Sequence, residues 1–207
     1  MIERIAFYQN RNDEEPNIDL ASQLVRTKDI KGIKEIVIGL DNKEKKVSND
    51  CIKVLYEIGY LSPDLINPYI DIFLDKLHSR NNRIVWGCCI AISILAKENS
   101  DKIYNKIELI KKVYKDGSVI TIDNCISIFA GVIKGNNKYS KVILPILLKH
   151  LENCRPKEVA QHAERSSICI TKSNKKMFIK VLNDRLPSLT DAQSRRVKKL
   201  IKQMEEI

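Results

Sequence analysis

The chain has 207 residues, with 36 Lys and Arg against 26 Asp and Glu, and so a formal net charge of +10. A hydrophobic share of 43% supports a buried core, while six cysteines in so long a chain do not ask for a disulfide framework. No stretch approaches the roughly 18–20 apolar residues of a membrane span, and the opening MIERIAFYQNRNDEEP has acids where a signal peptide needs an apolar run. A reduced, cytoplasmic protein without membrane attachment is therefore expected.

Taken in order, residues 1–9 predict a short capping helix with Ile2, Ile5 and Ala6 as its stripe. QNRNDEEP reads as a loop, and Asn17 as the N-cap of a helix over 18–26. Asp29 opens a helix whose Ile30, Ile33, Ile36, Val37 and Leu40 follow the spacing of a buried face. A helix over about 46–59 follows. Ser62-Pro63 starts the next, which Pro68 kinks or restarts. The segment 83–97 is apolar on nearly every side, as a helix flanked by two neighbours must be. Asn99 or Ser100 caps a helix carrying Ile103, Ile107, Ile110 and Val113, and Gly117-Ser118 turns into 119–133. Helices over 142–151, 157–170 and 174–185 complete the middle of the chain. Thr190 and Gln193 form a capping box for a last helix with Val197, Leu200, Ile201 and Met204 on one side. Its other side bears Arg195, Arg196, Lys198, Lys199 and Lys202.

Three of these helices share a register. Cys51, Cys88 and Cys125 recur at intervals of 37 residues, and the same offset carries Val47 onto Ile84 and Thr121. It also carries Val54 onto Ala91 and Ile128, and Ile58 onto Leu95 and Val132. Ala163 takes the cysteine position in a degenerate fourth copy, 38 residues on. A repeat of this length cannot bury its apolar face alone and stacks on its neighbours. Small buried hydrophobes at one structural position account for the cysteines. No alternation over 4–8 residues argues for strands.

On these residues the chain resembles the HEAT-like repeat proteins, over about residues 29–207. The resemblance implies an all-α, right-handed α-solenoid of helical hairpins, about five pairs with an N-terminal capping helix. It divides the single domain into a cap at 1–28, repeats over 29–189 and a C-terminal capping helix at 190–207. It further implies that the second helix of each pair lines a concave groove.

In that register the first turns of the inner helices form two columns. One runs Asn49, Trp86, Asp123 and Gln161, and the next Asp50, Gly87, Asn124 and His162. With the flanking Arg83 and Arg165, a groove-binding set is expected at Asn49, Arg83, Trp86, Asp123, Asn124, Gln161, His162 and Arg165. Asp123 and Asn124 equally suit capping of backbone groups, and Trp86 suits the core. No catalytic set and no cofactor are expected: GxSxG, P-loop, GxGxxG and HExxH are all missing. No metal site is expected either, because His150 and Cys154 could share a helix face but two ligands do not make a site. The expected function is a monomeric, non-enzymatic module holding a protein or peptide segment in its groove. The alternative is a nucleic-acid binder, resting on the +10 charge and the basic last helix. The resemblance extends that alternative to HEAT-like DNA glycosylases, with Trp86 and Asp123 as counterparts, and more distantly to lyase-like subunits. The glycosylases rely on a cluster of tryptophans, and this chain has one.

Overall fold

The computed structural model describes residues 1–207. Every regular element is helical. Two single turns of 3-10 helix, Ile2–Arg4 and Phe7–Gln9, stand in place of one capping helix, with Ile5 and Ala6 buried between them. Helix α1 spans Glu15–Thr27 and α2 Ile30–Ile38, the latter begun by Asp29, whose side chain accepts the Gly32 N–H at 2.9 Å. Helix α3 covers Lys45–Leu61. Pro63 opens α4 (Pro63–Ile66), and Pro68 breaks the segment into a 3-10 turn before α5 (Ile70–Lys76). Proline removes a helical donor and clashes with the preceding turn, so of the expected kink or restart it is the restart that forms.

Helix α6 covers Asn82–Leu95. The helix expected from Ser100 is in two pieces, α7 (Ser100–Tyr104) and α8 (Ile107–Asp116). Helices α9 (Val119–Gly135), α10 (Ser140–Asn153), α11 (Pro156–Ser167), α12 (Lys175–Arg185) and α13 (Asp191–Glu205) follow. The capping box of α13 forms as expected, with Thr190 and Gln193 each bonding the other's backbone N–H. No helix is long and apolar enough to cross a membrane.

The contacts divide the chain into two compact units that interleave in sequence: Met1–Leu95 with Lys106–Cys125, and Ala96–Asn105 with Ile126–Ile207. In the first, α1 and α6 pack on α3, and α5 packs on α6. In the second, α10 packs on α12, and α13 on α11. The 37-residue register is visible in burial. Val47, Ile84 and Thr121 are buried, as are Cys51, Cys88 and Cys125, then Val54, Ala91 and Ile128, then Ile58, Leu95 and Val132.

Asn17 departs from its expected role. It lies inside α1, fully buried, with Pro16 ahead of it in the first turn. Its side-chain oxygen accepts the Ala6 N–H at 2.9 Å, and its amide donates to Asp50 Oδ1 at 2.9 Å. A polar group this deep must be hydrogen-bonded, and Asn17 meets that demand by tying the N-terminal segment to α3.

Close helix approach is set by glycine. A methyl group on Gly87 of α6 would stand 2.5 Å from Cγ1 of Ile52 on α3, a side chain with no exposed surface. Overpacking of this kind costs about 1–3 kcal/mol. Gly87→Ala is therefore expected to lower unfolding free energy by about that amount in denaturant titration, with secondary structure retained.

Candidate functional site

The first unit contains a polar cleft of about 390 Å³ where the first turns of α3 and α6 meet the segment before α1. Lys46, Asn49 and Asp50 of α3 line one side, Arg83 of α6 another, and residues 10–14 the third. Asn10 stands at φ 54°, a left-handed conformation that asparagine tolerates better than most residues, and it turns the chain at the rim. The wall is held from behind. Asp50 Oδ2 accepts the Phe7 N–H at 2.8 Å, while its other oxygen takes the Asn17 amide.

The electrostatic centre is Glu14. Its carboxylate accepts from Arg83 and pairs with Lys53 at 2.9 Å, and Lys53 reaches Glu57 at 2.7 Å. Burial pushes the Glu14 carboxyl up, but hydrogen bonds and charge from Lys53 and Arg83 outweigh it and leave the pKa lowered. For Lys53 burial lowers the pKa, and the bonds to Glu57 and Glu14 more than reverse that. The Arg83 guanidinium lies 5.3 Å from the Trp86 ring centroid, a cation–π contact. Trp86 in turn leans on Tyr56 at 6.1 Å. Arg83 is thus held by a carboxylate and a ring, while its Nε is buried without a hydrogen-bond partner.

The expected site residues divide accordingly. Asn49, Trp86, Asp123 and Gln161, one column of the register, are all half-buried. Asn49 Oδ1 accepts from the Asn81 amide at 2.8 Å. The neighbouring column is buried at three of its four places, Gly87, Asn124 and His162, with Asp50 half-buried. The expectation that Asn124 and His162 face a groove is therefore corrected. The Asn124 amide turns back onto the Ile120 carbonyl of its own helix at 2.8 Å. His162 lies on the stripe Val159, Ala163 and Ser166, all buried, and that spacing alone could have placed it inward. Arg165 is half-buried and donates to Ser127 Oγ at 2.7 Å within the second unit.

Sequence reasoning missed Glu14, which meets Arg83 from 69 residues away and carries no local signal. It also missed that His162 joins His150 and Cys154. His150 Nε2 and His162 Nδ1 are 2.7 Å apart, and the ligand atoms of all three residues lie within 4.8 Å of one another.

The sequence matches no family model and no curated protein. Solved structures do match in fold. An engineered protein from a structural genomics consortium shares 15% identity, with 99% of this chain and 96% of that one aligned at a TM-score of 0.70. A second engineered protein is also 15% identical, with 99% of this chain on 58% of that one at 0.69. A designed armadillo repeat protein is 13% identical, with 99% of this chain and all of that one aligned at 0.66. The fold is that of the all-α helical-repeat solenoids.

Glu14 gives a pH test. Because its folded pKa is lowered, its stabilisation is present above the ordinary glutamate value of 4.5 and is lost as pH falls through the lower folded value. Glu14→Gln should cost about 1 kcal/mol at pH 7, a modest figure because the carboxylate is partly exposed. The gap between wild type and variant should close below the folded pKa, as read from urea titrations at a series of pH values.

Proposed function

We propose that the chain is a non-enzymatic interaction module that holds an extended polypeptide segment of a partner protein, acting as a cytoplasmic monomer. The cleft between α3, α6 and residues 10–14 is the contact. The observation that carries this reading is Arg83: a guanidinium fixed by Glu14 and Trp86, with a buried Nε–H that lacks an acceptor. An unmet buried donor costs free energy, which a peptide carbonyl entering the cleft recovers.

The lining supports a polypeptide over a phosphate backbone. Arg11, Lys46 and Arg83 are balanced there by Asp13, Glu14 and Asp50, with Asn10, Asn12 and Asn49 between them. Peptide groups present both donors and acceptors, which such a mixture can meet. Phosphates would instead select cations throughout. Helical repeats are a fold in which extended segments are commonly held.

The second reading is a nucleic-acid binder, and α13 favours it. Arg195, Lys198, Lys199 and Lys202 are exposed there, while Arg196 is engaged by Glu164 at 2.5 Å.

Peptide selection against the full chain, followed by a salt series with a random DNA duplex, separates the two. Selected peptides are expected to lose about tenfold or more in affinity on Arg83→Ala, roughly the 1.4 kcal/mol of one good contact, with Tm little changed. Duplex binding should be weak and unable to compete. Peptides indifferent to Arg83→Ala would remove the cleft from the account. Tight duplex binding that falls steeply with salt and is lost on Lys198→Ala/Lys199→Ala would give the function to α13.

A further inference from the structure

The second unit holds a cluster that the peptide reading does not use. Helices α10 and α11 form a hairpin in which His150 sits in the last turn of α10, Cys154 just beyond it, and His162 two turns into α11. The connection is Cys154-Arg155, so the hairpin is tight and the three side chains are drawn to one end. His162 has no exposed surface, while His150 and Cys154 are half-buried.

We infer that His150, Cys154 and His162 form a zinc-binding site. Two imidazoles and a thiolate are a donor set that suits this borderline-soft ion. Tetrahedral zinc places its ligand atoms about 3.3–3.6 Å apart. Here the two ring nitrogens stand at 2.7 Å and the whole set within 4.8 Å, so adjustments on the order of an ångström bring the three donors to bonding distance. Water fills the fourth position, because Glu158 is committed to Arg155.

The surroundings hold Cys154 in place. Arg185 of α12 donates to the carbonyls of Leu151 and Cys154, the latter at 2.7 Å, and so pins the end of α10. Fixed backbone around a ligand is what outer-shell partners supply in metal sites.

The proton balance is explicit. The proton now shared between His150 and His162 moves to an outer nitrogen of the ring that carries it, which leaves both inner nitrogens with lone pairs. The Cys154 thiol gives up its proton to solvent as the S–Zn bond forms. Binding should therefore release about one proton per zinc at neutral pH.

The test uses the full, metal-stripped chain, with zinc titrated calorimetrically in buffers of different ionisation enthalpy and cobalt(II) as a spectroscopic probe. One zinc per chain is expected, with about one proton released, a thiolate-to-cobalt charge-transfer band and a raised Tm. Cys154→Ser should abolish that band and weaken zinc by about 100-fold or more, at least the loss seen when an outer-shell partner is removed. His150→Gln should weaken zinc comparably. Both positions are half-buried, and circular dichroism of the metal-free variants checks their fold. A wild-type chain that shows no charge-transfer band at stoichiometric cobalt overturns the site. A band that survives Cys154→Ser overturns it equally, since another cysteine would then be the ligand.

Discussion

The fold depends on how closely consecutive long helices can approach at small residues. Gly87 of α6 leaves room only for Ile52 of α3, and Gly39 admits the Cys51 sulfur, which would stand 2.4 Å from an added methyl. In the second unit Gly131 of α9 lies against Ala96 in the same way, at 2.6 Å from such a methyl. In a helical repeat each unit packs only on its neighbours, so each contact must be close-packed by itself. The cysteine at every thirty-seventh residue belongs to this constraint. It is small, apolar and buried, and its chemistry is suppressed rather than used.

That suppression is electrostatic as well as steric. Burial, with the nearby Asp50 and Glu35 carboxylates, pushes the Cys51 thiol up to about 12. Cys88 is raised by burial, and Cys125 first by its hydrogen bond with Cys89 and then by burial. Cys154 is also raised by burial, but it differs in standing half-buried at a helix end, where the charge of Arg185 opposes the rise. The same element type thus serves as inert filler in the repeat and as a donor at the hairpin end. Surroundings decide which.

The polar part of the molecule follows a different logic. Glu14, Lys53 and Arg83 come from three separate places, the segment before α1, α3 and α6, and the Glu14 carboxylate offsets the burial of both cations. Loss of one partner costs little, because Glu14 and Arg83 keep access to water and Lys53 keeps Glu57. Such a network fixes the geometry of the cleft beyond what it adds to stability.

Most of the fold was legible because it is written in periods. Val54, Ala91 and Ile128 are apolar at one spacing, and Thr190 with Gln193 names its own helix start. The site was legible only where the same periods reach it. Asn49 and Trp86 stand half-buried in register, but Asn124 and His162 were placed outward by extending the register one residue too far. On a helix one residue is a turn of about 100°, enough to move a side chain from surface to core. Asn17, Glu14 and the meeting of His150, Cys154 and His162 depend on tertiary contacts, for which residue spacing along the chain gives no signal.

The 37-residue register places Cys51, Cys88 and Cys125 at equivalent buried positions of one repeated unit. Alkylation of the metal-stripped native chain, mapped by mass spectrometry over time, addresses it most directly. The expected result is that Cys154 is modified first, while Cys51, Cys88 and Cys125 stay protected together and react only after unfolding. Labelling of any of those three at the rate of Cys154 under native conditions would contradict it.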